Sequence, residues 1–298
     1  MDSNATSPIL RLGTSSFTAN GWNLTFYPPG MHSRDYLSYY ATRFDTLEVD
    51  TTYYRIPAIS TVQGWYNKTP PNFQFALKMP QEITHERVLV DVNSVFNEFL
   101  RATEPLAEKL AIILLQFPYF NQNSFASAAD FLARLKPFFE KLPAQPRFAL
   151  EIRNKHWLGP ALYDLLRQHN VALALIDHPW MPRPNEFSRK SEFLTTDFTY
   201  IRWLGDRKPI EALTEVWDKT IIDRSADLQE WAEACRGFQK LKIRVYAFAN
   251  NHYEGHAPAT LRLFRDLMEK NAVDILQTPD IRNQLAGTTR SLFDGQDE

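Results

Sequence analysis

Short apolar runs recur along the whole chain, and each ends in polar or ionisable residues. Such runs are typical of buried parallel strands, because a sheet covered on both faces loses the alternation of apolar and polar positions. Eight runs of this kind occur, at residues 9–13, 46–50, 73–78, 111–116, 147–151, 172–177, 199–203 and 244–249. The pattern therefore predicts eight strands of a parallel sheet.

Amphipathic stretches follow five of these predicted strands. Apolar side chains recur there with the spacing of one helix face, within residues 36–44, 95–110, 131–138, 162–166 and 228–238. Pro105 is expected to end the second of these helices. Strands that alternate with helices indicate an α/β protein, and eight such units fit the (β/α)8 TIM-barrel-like fold, whose typical length is about 250 residues. A doubly wound sheet is the alternative.

The chain shows no composition shift that would mark a linker. We therefore predict a single domain over residues 1–298, with a core at about 9–270 and a C-terminal extension at 271–298. Two stretches interrupt the alternation of strands and helices. Residues 178–196 contain three prolines and are predicted to form a loop, and residues 205–223 form an unusually long connection. Long loops in a compact domain are usually functional or mobile.

Composition and charge exclude several classes of protein. The chain is 44% hydrophobic and 23% charged, which excludes a disordered or collagen-like protein. A net charge of −2 gives no indication of nucleic-acid binding, although a local basic cleft stays possible. A single cysteine excludes an internal disulfide framework. Residues 1–8 lack the features of a signal peptide and residues 110–115 are too short to span a bilayer, so we expect a cytoplasmic protein without membrane contact.

The ends of the predicted strands carry the candidate chemistry. In a TIM barrel the C-terminal ends of all strands open on one mouth, where active sites lie. In chain order these ends supply Glu48 with Asp50, Lys78, Gln116, Glu151 with Arg153, Asp177, Arg202, and Asn250 with Asn251 and His252. Because carboxylates, cations and amides would all converge there, we expect a functional site.

Several motifs at these strand ends match a known family. They are Gly-Thr-Ser at 13–15, Leu-Glu-Val-Asp-Thr-Thr-Tyr-Tyr-Arg-Ile-Pro at 47–57, Phe-Ala-Leu-Lys-Met-Pro at 75–80, Ile-Thr-His at 83–85, Leu-Gln-Phe-Pro at 115–118, Glu-Ile-Arg at 151–153 and Phe-Ala-Asn-Asn at 248–251. With these motifs the chain resembles the YecE-like family, domain of unknown function 72, over nearly its whole length. The resemblance implies a TIM-barrel-like fold and supplies no reaction. The chain departs from the family pattern at residues 16–17, 50–51, 154 and 252.

The candidate residues fall into a catalytic set and a substrate-binding set. Glu48 and Glu151 are the candidate acid–base pair, because two carboxylates near cations can hold different pKa values and divide the two roles. Asp177 and His85 are further catalytic candidates. The predicted substrate-binding residues are Lys78, Arg153, Arg202, Gln116, Asn250, Asn251, His252, Arg55 and Tyr53. Arginine forks and a lysine ammonium suit phosphate or carboxylate, but the same cations could instead neutralise the carboxylates internally.

Three functions fit this pattern. The leading hypothesis is a cofactor-independent enzyme that acts on a small anionic substrate, such as a sugar phosphate or a nucleotide fragment, as a hydrolase, lyase or isomerase. The first alternative is a module that binds an anionic ligand or single-stranded nucleic acid without turnover. The second is a metal-dependent hydrolase or isomerase. We expect no bound metal, because three cations share the mouth, and no dinucleotide or P-loop cofactor, because no glycine-rich phosphate loop occurs. The pattern leaves the oligomeric state open.

Overall fold

Strands and helices alternate throughout the structure, a computed structural model that describes residues 10–188 and 191–277. The eight strands are β1 (Leu10–Thr14), β2 (Thr46–Val49), β3 (Gln74–Lys78), β4 (Leu110–Gln116), β5 (Arg147–Glu151), β6 (Val171–Asp177), β7 (Phe198–Trp203) and β8 (Arg244–Ala249). The helices are α1 (Trp22–Thr25), α2 (Tyr36–Tyr40), α3 (Ile59–Asn67), α4 (Asn93–Thr103), α5 (Ala128–Phe139), α6 (Pro160–Gln168), α7 (Pro184–Ser188), α8 (Arg207–Glu211), α9 (Ser225–Lys240), α10 (Asn251–Glu254) and α11 (Ala257–Gln277).

The strands form one nearly closed barrel. Each paired strand runs parallel to its neighbour, in the order β1-β8-β7-β6-β5-β4-β3-β2. This cyclic order is that of a (β/α)8 barrel, whereas a doubly wound sheet reverses its order at a switch point. The TIM-barrel-like fold expected from the sequence is confirmed, and the doubly wound alternative is wrong.

Side chains join β1 to β2, where no ladder of backbone hydrogen bonds pairs the two described strands. The Tyr40 hydroxyl accepts a hydrogen bond from the Thr14 backbone N–H at 2.8 Å and donates one to the Thr46 carbonyl at 3.1 Å. At Gly13 an added Cβ would lie only 2.2 Å from that same carbonyl oxygen. The two strands therefore approach closely because residue 13 is a glycine, and the Tyr40 hydroxyl links them by hydrogen bonds.

Alternate residues of the strands fill the interior of the barrel. This inner cluster consists of Ala76, Ile112, Leu114, Ala149, Ala172, Ala174, Phe198, Tyr200, Tyr246 and Phe248. Successive side chains of a strand point to opposite faces, so the residue two positions after an inner one also points inward. The same alternation thus carries Lys78, Gln116, Glu151 and Arg202 to the C-terminal mouth.

Several predictions about local structure need correction. Helices α3 and α11 were not expected, the loop predicted at 178–196 contains the short helix α7, and the connection at 205–223 contains α8. Helix α4 ends at Thr103, before Pro105, as expected, but Leu110 opens β4 instead of belonging to the helix face.

The predicted domain limits are only partly within the described residues. The predicted end of the core at residue 270 falls inside α11, which continues to Gln277. The remainder of the predicted extension, like residues 1–9, lies outside the described residues, so the division into core and extension stays a prediction. Within the described ranges, no helix has the length and apolar content needed to cross a membrane.

Candidate functional site

A buried ion cluster closes the floor of the barrel mouth. Arg202 on β7 is 2% exposed, and Glu48 on β2 and Glu151 on β5 are both fully buried. Arg202 donates through Nη1 to Glu151 at 2.7 Å, and through Nη2 and Nε to Glu48 at 2.7 and 3.2 Å. The Tyr200 hydroxyl adds a hydrogen bond to Glu48 at 2.5 Å. The geometry therefore assigns Arg202 to internal neutralisation of two glutamates, which was the competing interpretation of the sequence.

The same contacts favour the charged forms of Glu151 and Arg202. Burial alone would raise the pKa of Glu151, but Arg202 and Arg153 outweigh it and hold that pKa below its usual value. Burial would lower the pKa of Arg202, and Glu48 and Glu151 instead raise it. At neutral pH Glu151 is thus a carboxylate in an ion pair. Glu151 is therefore better suited to stabilising the charges of Arg202 and Arg153 than to donating a proton.

Asp50 is a carboxyl group at the mouth whose pKa is raised toward neutral pH. It begins a 3-10 turn directly after β2, and its Oδ1 lies 3.5 Å from Arg202 Nη2. Burial and the neighbouring Glu48 raise the pKa of Asp50 to about 7, although Arg202 and Lys78 oppose the shift. Asp50 Oδ1 has no hydrogen-bond partner among the described residues. An acid poised in this way suits general acid–base chemistry.

Sequence reasoning placed Asp50 at a strand end but left it out of the catalytic candidates. A signal was present, because the strand predicted at 46–50 contains both Glu48 and Asp50, and residues two positions apart share one side of a strand. What the sequence did not show is that Glu48 is the residue bound to Arg202.

Lys78, Tyr53 and His85 form a second group at the mouth. The Lys78 ammonium lies 4.0 Å from the centre of the Tyr53 ring, and no carboxylate of the described residues forms an ion pair with it. The His85 ring packs edge-on against Tyr53, with 4.9 Å between centroids. Burial, assisted by Lys78 and Arg153, lowers the pKa of His85 to about 4. His85 is therefore neutral at physiological pH, and Lys78 is a cation without a fixed counter-charge.

Arg153 faces a cavity on the β3–β6 half of the mouth. Its Nε donates to Glu151 at 3.1 Å, and 36% of its side chain is exposed. The cavity has a volume of about 230 Å³, and we call it the arginine cavity; its lining includes His85, Gln116, Tyr119, Arg153, His178 and Trp180. Among its described lining residues none carries a carboxylate. The arginine cavity is therefore suited to an anion.

A second cavity of about 290 Å³ occupies the other half of the mouth. We call it the hydroxyl cavity; its lining includes Ser15, Ser16, Thr18, Asp50, Asn250 and Asn251. It lies at the ends of β1, β2 and β8, and the two cavities share no lining residue. Of the predicted substrate-binding residues, Gln116 and Arg153 line the arginine cavity, and Asn250, Asn251 and His252 line the hydroxyl cavity. The linings of the two cavities do not include Lys78, Tyr53, Arg202 and Arg55.

The predicted residues after β8 also hold their own loop. The Asn250 Oδ1 accepts a hydrogen bond from the His252 backbone at 3.0 Å and so caps α10. The Asn251 Oδ1 accepts from Trp22 Nε1 at 3.2 Å, and His252 Nε2 lies 3.0 Å from a Glu211 carboxylate oxygen. Asn250, Asn251 and His252 line the hydroxyl cavity, but part of their hydrogen-bonding capacity is used in shaping it.

Two predicted site residues are not brought to the mouth. The expectation that Asp177 faces it is wrong, because the inner residues of β6 are Ala172 and Ala174 and Asp177 has the opposite parity. Its Oδ2 accepts hydrogen bonds from Trp231 Nε1 at 2.7 Å and from the Tyr253 hydroxyl at 2.8 Å, between the barrel and its helices. Arg55 is exposed and lines a groove with residues of α3 and α4, outside the mouth.

The described residues do not assemble a set of side chains that could coordinate a metal. In the described part of the chain, no group of three or more histidine, cysteine, aspartate or glutamate side chains is arranged to hold an ion. Two histidines near the hydroxyl cavity have protein partners: His252 is engaged with Glu211, and His256 lies with its Nδ1 2.8 Å from the Trp217 carbonyl. The expectations that the protein needs neither a metal nor an organic cofactor stay predictions.

Comparison with known proteins gives the same relatives as the motifs. UPF0759 protein YunF of Bacillus subtilis is 31% identical over 152 residues, which cover 48% of this chain and 52% of YunF. UPF0759 protein YecE of Escherichia coli is 30% identical over 123 residues, which cover 41% of this chain and 43% of YecE. The chain therefore spans about half the length of the curated relatives it matches.

Solved structures and a family match extend the likeness to nearly the whole chain. A DUF72 family protein from Thermotoga maritima is 27% identical with a TM-score of 0.70, covering 88% of this chain and 99% of that one. A DUF72 family protein from Enterococcus faecalis, at 21% identity and a TM-score of 0.64, covers 88% of this chain and 96% of that one and shares the fold. The family described as "Protein of unknown function DUF72" matches residues 11–284. The resemblance seen in the sequence is confirmed: the chain belongs to the DUF72 family.

Proposed function

We propose that this protein is an enzyme that binds a small anionic substrate at the barrel mouth, without an organic cofactor, and transfers a proton through Asp50. Lys78 and Arg153 hold the anionic group, and the buried cluster of Arg202 with Glu48 and Glu151 keeps the mouth in shape. The raised pKa of Asp50 beside an unpaired lysine is the observation that carries the proposal.

The charges at the mouth explain why an anion is the expected ligand. Glu48 and Glu151 balance Arg202 and Arg153, with which they are in contact. Lys78 is left to be balanced by Asp50, whose pKa of about 7 leaves it largely protonated in slightly acidic solution. The mouth then carries one net positive charge in a partly buried setting, where charge is screened weakly. A bound anion supplies the missing negative charge.

The proposal predicts that anion binding depends on pH with a defined sign. An anion at Lys78 raises the pKa of Asp50, so binding takes up a proton and weakens as Asp50 ionises. The affinity for sulfate, whose own charge is constant here, should fall between about pH 6 and about pH 8. The largest decrease in sulfate affinity is about tenfold for each pKa unit by which bound sulfate raises the pKa of Asp50.

Titration calorimetry at constant ionic strength tests this prediction. Lys78→Met should abolish sulfate binding, whereas Asp50→Asn should keep it and remove its pH dependence. Lys136→Met, the same change at an exposed position on the outer helix α5, is the matched control and should behave as wild type. Equal sulfate affinity in wild type and Lys78→Met would contradict the proposal.

Turnover separates an enzyme from a module that only binds its ligand. Wild type and Asp50→Asn are incubated with a pool of small phosphorylated and carboxylated metabolites, and the pool is followed by mass spectrometry. We expect wild type to convert at least one compound that Asp50→Asn binds but leaves unchanged. If wild type converts none of these compounds but still binds sulfate, the result would favour a module that only binds its ligand. The cytoplasmic location expected from the sequence stays a prediction.

A further inference from the structure

We propose that the hydroxyl cavity is a subsite for an uncharged, hydroxylated part of the substrate, which makes the substrate an anionic polyol such as a phosphorylated or acidic sugar. This inference rests on the proposed function, which places the anionic group at Lys78 and Arg153. It assigns a ligand chemistry to the half of the mouth that those two cations do not occupy.

The side chains that line the hydroxyl cavity match the hydrogen-bonding character of a polyol. Ser15 and Thr18 offer hydroxyl groups, and Asn250 offers the NH2 of its amide, since its Oδ1 caps α10. The Ser16 hydroxyl also lines the cavity but donates to the Thr18 carbonyl at 2.9 Å. Hydroxyl and amide groups both donate and accept hydrogen bonds, as the hydroxyl groups of a sugar do. The arginine cavity on the opposite side instead offers the guanidinium of Arg153. A ligand that fills both cavities therefore has one anionic end and one hydroxylated end.

Two oxygen atoms without a hydrogen bond border the hydroxyl cavity. Ser15 is 4% exposed, and its Oγ has no hydrogen-bond partner among the described residues. The Oδ1 of Asp50, which lines the same cavity, has no hydrogen bond within the described part of the chain and only an ion-pair contact with Arg202 Nη2 at 3.5 Å. Buried polar atoms are nearly always hydrogen-bonded in folded proteins, so the unpartnered Ser15 hydroxyl, beside a carboxylate oxygen with hydrogen-bonding capacity to spare, indicates a ligand group that bonds them. A hydroxyl group can donate to one oxygen and accept from a protonated Asp50 or from Ser15.

The cavity offers little to a nucleobase. A base would need an exposed aromatic face on which to stack. Trp22 is 1% exposed, and its Nε1 is bonded to Asn251. Trp217 packs edge-on against His252, with 4.8 Å between ring centroids. The hydrogen-bonding side chains, and not the aromatic ones, therefore decide which ligand fits.

The distance between the two subsites suits a short carbon chain. Ser15 follows β1, Lys78 ends β3, and β2 lies between them. Neighbouring strands are about 4.8 Å apart, so these positions are roughly 10 Å apart along the barrel wall, and inward-pointing side chains shorten that distance. A chain of about three to six carbons can join an anionic group at Lys78 to a hydroxyl group at Ser15.

Matched pairs of phosphate esters test the inference by titration calorimetry. Glycerol 3-phosphate is compared with propyl phosphate, and glucose 6-phosphate with hexyl phosphate. Each pair has the same anionic group and the same number of carbons and differs in its hydroxyl groups. We expect at least one polyol phosphate to bind roughly two- to tenfold more tightly than its alkyl partner for each hydrogen bond gained.

Ser15→Ala should reduce this preference without changing the affinity for the alkyl phosphates. Because the Ser15 hydroxyl has no partner in the protein, this variant should unfold at the same temperature as wild type. Ser60→Ala, at an exposed position on α3, is the matched control and should keep the full preference.

The possible outcomes separate the two proposals. If alkyl phosphates bind as tightly as polyol phosphates, and both need Lys78, the hydroxyl subsite is overturned and the anion site stands. The hydroxyl subsite is likewise overturned if a preference exists but Ser15→Ala leaves it unchanged. If no phosphate ester binds to wild type, the anion site and the subsite are both overturned.

Discussion

Replacing Arg202 by alanine should destabilise the folded protein by ~3–5 kcal/mol, because removing one partner of a buried ion pair leaves an uncompensated charge. In this protein the loss would affect two carboxylates, since Arg202 donates to both Glu48 and Glu151, and both are fully buried. Because 1.4 kcal/mol corresponds to a factor of ten, the ratio of folded to unfolded protein should fall by about two to four powers of ten.

Arg153→Ala is the matched control for this change. Arg153 also contacts Glu151, at 3.1 Å, but about a third of its side chain is exposed. Partly exposed ion pairs contribute up to about 1 kcal/mol, so the loss of this arginine should cost much less than that of Arg202. Both variants are compared with wild type by urea unfolding, which gives the free energy of unfolding and, through its slope, a check on two-state behaviour.

The destabilisation of Arg202→Ala should also depend on pH. Arg202 helps to hold the pKa of Glu151 below its usual value. Without it, burial raises that pKa, so the folded variant binds a proton more tightly than the unfolded chain does. The deficit in unfolding free energy should therefore be larger at about pH 8 than at about pH 5. A deficit no larger than that of Arg153→Ala, or one that is the same at both pH values, would refute this explanation of the cluster.

Two further predictions concern stability alone. Lys78→Met should unfold at or above the wild-type temperature near neutral pH, because the folded state disfavours the charge of Lys78: burial and Arg202 hold the Lys78 pKa below its usual value. A clear loss of thermal stability would mean that Lys78 is a structural cation. Gly13→Ala should lower the free energy of unfolding strongly, because its Cβ would lie 2.2 Å from the Thr46 carbonyl oxygen. Gly64→Ala in α3 meets open space and should raise the free energy of unfolding by up to ~1 kcal/mol. Similar effects of the two changes would contradict the close approach of β1 and β2.

The fold could be predicted because parallel strands are buried on both faces. The run Val-Ala-Leu-Ala-Leu-Ile-Asp of β6 is apolar at every position before its last residue, which makes the strand easy to recognise. The same property hides the direction of the side chains. Since inward and outward positions are both apolar, nothing in this run shows that Asp177 points toward α9 instead of into the mouth. Its misplacement follows directly from the feature that identified the strand.

The residues of the candidate site could be predicted as a group, but their partners could not. The strand ends of a barrel converge, which sufficed to bring Glu48, Glu151 and Arg202 together. Which carboxylate each cation contacts depends on distances across the barrel between residues as far apart in sequence as Glu48 and Arg202. The poised proton on Asp50 was missed for the same reason, because its pKa depends on burial and on the charge of Glu48.

The sequence offered anion recognition and internal neutralisation as competing roles for the three cations, and the geometry supports each role for different residues. Arg202 is enclosed and engaged with Glu48, Glu151 and Asp50, so a ligand would have to displace buried ion pairs to reach it. Lys78 has no ion-pair partner among the described residues, and Arg153 is partly exposed beside a cavity. Because Arg202 is already paired with glutamates, it does not compete with Lys78 and Arg153 for a bound anion. Lys78 and Arg153 therefore stay available to a ligand. In the proposed function, the ion pairs around Arg202 thereby leave Lys78 and Arg153 as the cations that an anion can reach.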